Sequence, residues 1–297
     1  MKTSSDIGPG PRLLYPFKAG MTRARSLAWF VRSRRTGHRH QGPRLLFYHR
    51  VADDRDELAV KPRRFREQMN LLASEGYRVV DLVEAVDLLL SGTMPGPTIG
   101  LSFDDGFRDV AEEALPVLER HGFRATVFVP PGVIDGRVSF NWYHEQPPLL
   151  DWDQIVELDL TGTLRFEAHS VTHPNLLTLS EESARDEIVG SKIALESHLG
   201  RPVEAFCYPA GLFGARERRL VQKAGFRMAA SCEPGPNHPN VDLFGLRRQQ
   251  IDARDSLLDF RAKLGGAHDS PLPLRMAYLR LRYGDGNGSP RATSSPV

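Results

Sequence analysis

The chain has 297 residues and a formal net charge of +2. A core of that size is buried without staples, and near-balanced charge excludes a strong pull of the whole molecule toward nucleic acid. Two cysteines, Cys207 and Cys232, make no disulfide framework, and no apolar run approaches a membrane-spanning length.

In chain order, residues 1–43 form a basic, Pro/Gly-punctuated arm in which Arg23, Arg25, Arg32, Arg34 and Arg35 surround Leu27-Ala28-Trp29-Phe30-Val31. A secretory signal needs a longer apolar run and a small-residue cleavage site, so a cytoplasmic place, or one peripheral to the inner membrane, is expected. An arm packed on the body of the protein or poorly ordered is favoured over one lying on an anionic membrane. Arg44 to Val51 reads as a strand, Arg63 to Gly76 as an amphipathic helix, Tyr77 to Val80 as a strand and Leu82 to Leu90 as a helix. Thr98 to Asp104 is a third strand, Asp109 to Arg120 a helix and Arg124 to Val129 a fourth strand. Regularity is lost from Val133 to Trp152, where Phe140, Trp142, Tyr143 and Trp152 collect. Leu164 to Ala168 is a strand, and Ser180 caps a helix that runs to Leu199. Strands at Val203 to Tyr208, Arg227 to Ser231 and Phe244 to Ile251 alternate with helices at Arg216 to Ala224 and Leu257 to Leu264. Met276 to Tyr283 reads as a short helix, and the Gly/Ser/Pro-rich end, Gly284 to Val297, as disordered. Strand–helix alternation implies a parallel sheet.

Two stretches carry chemistry. Thr98-Ile99-Gly100-Leu101-Ser102-Phe103-Asp104-Asp105-Gly106 places two adjacent carboxylates at a strand's C-terminal end, where parallel α/β folds build sites. Like charges side by side raise each other's pKa unless something positive intervenes; a divalent cation on one of them resolves this and leaves the other free as a base. The plainer alternative is a pair that caps a turn. His169-Ser170-Val171-Thr172-His173 also follows a strand, and Pro174 makes it a tight loop. Two imidazoles and a carboxylate, with positions left for solvent, suit zinc or a similar cation.

Ser102-Phe103-Asp104-Asp105-Gly106, His169-Ser170-x-x-His173 and Phe206-Cys207-Tyr208-Pro209-Ala210-Gly211 together resemble the first three motifs of the polysaccharide deacetylases (carbohydrate esterase family four), in order, over about Leu45 to Ile251. The resemblance implies an α/β fold, a distorted (β/α) barrel with about seven parallel strands. The expected organisation is an arm at 1–43, the barrel at 44–265 and a partly disordered extension at 266–297. The implied activity is removal of N-acetyl groups from an amino-sugar polysaccharide or glycan by a divalent metal, Zn²⁺ or an ion such as Co²⁺. Asp105, His169 and His173 are then the metal ligands and Asp104 the general base. The third motif implies that the Ala210 N–H serves the oxyanion and that Tyr208 and Pro209 shape the groove wall. Trp142, in the aromatic loop, is a candidate to stack on a sugar; the alternative folds that loop onto the barrel.

The chain departs from the family in informative places. Leu246-Arg247-Arg248-Gln249-Gln250 lacks the late histidine that serves as general acid. A branch resembling the biofilm poly-N-acetylglucosamine deacetylases takes this histidine from a Tyr-His pair on the first strand, and Tyr48-His49 matches it, with His238 in reserve. Cys207 stands where the family has an arginine paired with the base, and Arg248 is the candidate replacement. The expected partner is an acetylated glycan, with no nucleic acid. The competing readings are O-acetyl or lipid-linked sugars at the inner membrane face, a non-catalytic carbohydrate-binding barrel, and a two-His-one-carboxylate iron oxygenase.

Overall fold

The computed structural model describes residues 23–28 and 42–269. The rest of the basic arm, the helix expected at Met276 to Tyr283 and the tail from Gly284 lie outside the described residues. A short helix, α1, covers residues 23–28.

Seven parallel strands form a nearly closed barrel in the order β10-β1-β5-β6-β7-β8-β9. They are β1 (Arg44–Tyr48), β5 (Thr98–Asp104), β6 (Ala125–Val129), β7 (Leu164–Ala168), β8 (Ala205–Cys207), β9 (Met228–Ala230) and β10 (Arg248–Gln250). Closure is made just before β10, where Leu246 bridges Ala230 and exchanges backbone bonds with Ala229 and Ser231. An eighth strand, β4 (Arg78–Val80), pairs with Thr98–Gly100 of β5, below the stretch Ser102–Asp104 that pairs with β6. Two short strands, β2 (Arg50–Val51) and β3 (Ala59–Val60), form a separate ribbon.

Strand periodicity divides the side chains into two layers. Tyr48, Leu101, Phe103, Val127, Phe166, Phe206 and Tyr208 pack outward under helices α2 (Pro62–Ser74), α4 (Leu115–His121), α6 (Trp152–Thr161) and α7 (Glu181–Leu199). Leu45, Phe128, Ala205, Cys207, Met228, Ala230 and Leu246 cluster instead with Leu82, Val83, Ala85 and Val86 of α3 (Leu82–Ser91). Helix α3 thus seals the N-terminal end of the barrel. A Cβ at Gly100 would lie 2.4 Å from Leu45 and 2.9 Å from Ala85, so only glycine lets the helix seat there.

The sequence reading misses α6. Its signals are a capping box, in which Asp151 and Gln154 cap each other's backbone N–H, and a left-handed Gly162 at its end. The helix expected from Asp109 instead opens with a widened turn, Val110–Ala114, before α4, because Pro116 has no N–H to give the Glu112 carbonyl.

The barrel is most distorted between β7 and β8, whose register is a single pair, Ala168 with Phe206. Glu167, fully buried, bridges the gap. One oxygen accepts the N–H groups of Glu204 and Ala205, each at 2.7 Å, and the other accepts Arg165 at 2.8 Å. Removing one member of a buried ionic network strands the others, so Glu167→Ala should lower the unfolding free energy by about 3–5 kcal/mol. Urea denaturation measures this, and a loss within error of zero would mean that the seam does not depend on Glu167.

Candidate active site

Asp104 ends β5 with its side chain directed into the barrel, 2% exposed. Arg248, at the start of β10, meets it from the opposite side of β1, with Nη1 donating to Oδ1 at 2.7 Å and Nη2 to Oδ2 at 2.8 Å. The guanidinium also donates to Ser231 O at 2.9 Å, Ser102 Oγ at 3.0 Å and Cys207 Sγ at 2.9 Å. All five of its N–H groups are thereby used. Its face lies 4.4 Å from the Phe47 ring centroid. Burial pushes the Asp104 carboxyl up, but Arg248 outweighs it and holds the group below the usual carboxylate range.

Asp105 leaves the strand with φ 81, followed by Gly106 at φ 75. Simple alternation would send Asp105 outward under the helices; the left-handed turn returns it to the barrel mouth. A Cβ at Gly106 would lie 2.8 Å from Val129, which requires glycine there. Burial raises the Asp105 carboxyl, while contact with His169 and the fields of His173 and His49 outweigh it and hold it at about 2. Burial, and then His169 beside it, push His173 down to about 4.

The two imidazoles come from the loop after β7. His169 Nδ1 donates to Cys207 O at 2.7 Å, which turns Nε2 toward Asp105, 3.5 Å from its Oδ1. His173 Nε2 is 3.7 Å from the same oxygen. That oxygen is buried and, among the described residues, accepts no hydrogen bond. Ligand atoms on a tetrahedral zinc with bonds of about 2.1 Å stand roughly 3.4 Å apart, close to both spacings. A carboxylate held ionised, with an oxygen short of partners and facing two imidazole nitrogens, is a donor set that a cation can use. The three residues therefore fit a divalent metal. A second trio, Asp104, His169 and Cys207, also lies close together. It suits a cation less, because Arg248 occupies Asp104 and burial pushes the Cys207 thiol well up.

His49 follows β1, one residue beyond the Tyr48–Phe103 pair and so level with Asp104. Its charge is felt at Asp104, Asp105 and His173, and its Nδ1 is buried without a hydrogen bond. His238 is exposed on the loop after β9. Trp142 stacks on Phe140 and lies edge-on to His173, at 5.1 Å between centroids. The aromatic loop thus folds down beside the His173 ring while Trp142 stays half-exposed.

One expectation about the wall requires correction. Tyr208 is fully buried, stacked on Phe213 at 4.3 Å, with its hydroxyl donating to Phe244 O. It follows Cys207, which points inward, so alternation turns its ring away from the mouth. Arg248 is also fully buried and pairs with Asp104, the role expected of it as replacement for the family's arginine, so it is not exposed to bind a substrate. Pro209 is buried, and Ala210, half-exposed, sits in a left-handed turn at φ 52. The sequence reading names no residue that holds the histidine loop; Glu187 of α7 does so, accepting the N–H groups of Val171 and Thr172.

Residues 91–229 match the family model described as polysaccharide deacetylase. A Bacillus subtilis protein named as a polysaccharide deacetylase, YxkH, is 25% identical over 208 residues, 70% of each chain. The poly-β-1,6-N-acetyl-D-glucosamine N-deacetylase of Staphylococcus aureus is 24% identical over 210 residues, 67% of this chain and 71% of the other. Among solved structures, the Streptococcus pyogenes deacetylase PplD superposes with a TM-score of 0.65 at 22% identity, covering 75% of this chain and 99% of that one. IcaB from Ammonifex degensii gives 0.64 at 23%, covering 77% and 97%. At such identities the structural likeness establishes the fold. The matched region holds all three motifs, so the resemblance drawn from them to the polysaccharide deacetylases holds.

If Arg248 is what holds Asp104 ionised, Arg248→Met should leave burial opposed only by the weaker effects of His169 and His49 and raise the Asp104 carboxyl. Carboxyl ¹³C titration of the folded variant reads this directly; a carboxyl still depressed would assign the effect to another group.

Proposed function

We propose that this chain is a metal-dependent hydrolase that removes N-acetyl groups from an amino-sugar-containing polysaccharide or glycan. The observation that carries the reading is the orphaned Asp105 oxygen facing the Nε2 atoms of two imidazoles, beside an aspartate held by arginine. The name of the Staphylococcus aureus relative supports the substrate class.

In this reading Asp105, His169 and His173 hold a divalent cation, Zn²⁺ or an ion of similar preference such as Co²⁺. Bound there, such a cation polarises an acyl carbonyl and acidifies water. Asp104 takes the proton of the water that adds to the acyl carbon, and Arg248 fixes the direction of its lone pairs. The N–H of Ala210, carried over from the third motif, donates to the oxygen that gains charge. The C–N bond then breaks, His49 gives its proton to the departing nitrogen, and acetate and a free amine result. Trp142, beside His173, offers a half-exposed ring for a sugar to stack on.

One observation favours a second substrate reading with the same chemistry. Arg23, Arg25 and Leu27 are exposed on α1, a basic and apolar combination suited to an anionic lipid surface. A lipid-linked or O-acetylated sugar at the inner membrane face would then be the substrate, and the protein would be cytoplasmic or peripheral to that membrane. Acetate release from a panel of N-acetylated, O-acetylated and lipid-linked glycans separates the two readings, and release from none of them would remove both.

The two aspartates should separate by experiment. Asp104→Asn should keep its bound metal and lose turnover about 10²–10⁴-fold, the usual worth of a general base. Asp105→Asn should lose metal as well, measured by elemental analysis after dialysis. Equal metal content in the two variants would refute the division of roles.

The assignment of His49 rests on its level with Asp104 and its field at the three neighbouring groups. An amide nitrogen leaves poorly unless protonated, whereas an activated ester leaves unaided. His49→Ala should therefore lose amide deacetylation about 10²–10⁴-fold and retain hydrolysis of an acetyl ester with a good leaving group. Equal losses on both substrates would give His49 another role.

A further inference from the structure

The loop that carries both candidate histidine ligands is held from one side by a single carboxylate. Glu187 lies in α7, which is 19 residues long and capped by Ser180. Its Oε2 accepts Val171 N–H at 2.9 Å and Thr172 N–H at 2.8 Å, and its Oε1 accepts Thr172 Oγ1–H at 2.6 Å. From the other side, Gly132 N–H donates to Val171 O at 2.8 Å. The fit is close on both flanks: a Cβ at Gly132 would lie 3.0 Å from Val171 O, and one at Gly190 3.0 Å from the Val171 side chain.

The loop needs such a clamp. Ser170 at φ 59 and His173 at φ 57 are left-handed without being glycine, and such residues persist only where their surroundings over-determine them. Ser170 Oγ accepts His173 N–H at 3.1 Å, which closes the turn locally. The three candidate ligands differ in what else fixes them. Asp105 follows directly on β5, and His169 follows directly on β7 and is pinned through Nδ1 to Cys207 O. Among the described residues, His173 is held by the loop and by ring contacts with Phe140, Trp142 and His169.

We propose that Glu187 is a positioning residue for the metal centre, acting on His173 through the backbone of Val171 and Thr172. It touches no ligand atom itself. The proposal rests on the metal reading given above. Three hydrogen bonds from one rigid helix select the left-handed course of the loop, and that course aims the His173 Nε2 at Asp105. Glutamine can reproduce the pattern, with its carbonyl oxygen accepting both N–H groups and its amide donating to Thr172 Oγ1. Alanine cannot.

The test is a competition titration of the apoprotein with Zn²⁺ against a chromophoric chelator, supported by the Co²⁺ absorption spectrum. Orienting groups beyond the ligands are worth 10–100-fold in metal affinity, so Glu187→Ala should bind Zn²⁺ about 10–100-fold more weakly with an altered Co²⁺ spectrum, while Glu187→Gln stays within about threefold of wild type. Rescue by glutamine distinguishes positioning from a need for charge. If the alanine variant does not fold, Thr172→Val removes one arm of the same clamp and should weaken binding several-fold. Wild-type affinity and spectrum in Glu187→Ala, or in Thr172→Val where that variant stands in, would overturn the clamp alone. A wild type that takes up no more Zn²⁺ than His173→Ala would overturn the metal centre itself.

Discussion

The ion pair between Arg248 and Asp104 is the interaction on which the barrel mouth depends. A guanidinium and a carboxylate, both essentially excluded from solvent, are favourable only if geometry is good and every remaining donor is satisfied. Here the contact is two-pronged, the other donors reach Ser231 O, Ser102 Oγ and Cys207 Sγ, and the Phe47 ring covers the face. The pair therefore ties β10 to β5 across β1, close to where the ring of strands is completed by the single bridge from Ala230 to Leu246. It also fixes the protonation of Asp104 from below, leaving the mouth free for the groups around Asp105.

Two adjacent aspartates have unlike surroundings because the chain changes conformation between them. Asp104 obeys strand alternation and points inward to the arginine. Asp105 breaks it at φ 81 and reaches the histidines. The same rule explains Tyr48 and His49, where the tyrosine goes outward to Gln68 and the histidine lies level with Asp104. It also explains Cys207 and Tyr208, whose sulfur meets the arginine while the ring packs under Phe213. The Tyr48–His49 and Cys207–Tyr208 pairs each place one residue on the inner side and one in the outer core, so a motif read as a string mixes groups that face opposite layers.

That mixing sets what was legible in the sequence. The strands, their order along the chain and the cluster of Asp104, Asp105, His169 and His173 could be read because each sits at a strand end marked by Gly106 or Pro174. Tyr208 could not be placed, since three residues of β8 give too short a run to fix the phase of alternation. Helix α6 was hidden because its first residue, Trp152, completed an aromatic-rich stretch that read as loop, although its capping box and Gly162 stood on either side. Glu187 gave no signal at all. A glutamate on a long, mostly polar helix looks like any solvated residue, and the three donors it accepts, on Val171 and Thr172, are 15 or 16 positions away in the loop after β7.

The departures of this chain from the family it resembles become coherent once the barrel is treated as a ring. The position of the family's arginine, on β8, holds Cys207, and the late strand lacks the family's histidine. The guanidinium instead arrives from β10 and reaches the same carboxylate beside Cys207. The proposed acid arrives from β1, which pairs with β10 on one edge and β5 on the other. Neighbouring strands in a closed parallel sheet deliver their C-terminal residues to one rim, so a side chain long enough to cross a strand, or one placed at the next strand end, can supply the same charge at the same point. A small residue at position 207 is then a requirement of the arrangement, because an arginine there would contest the space and the carboxylate that Arg248 now fills. The two changes are coupled through Asp104, and neither position can be judged by its own motif alone.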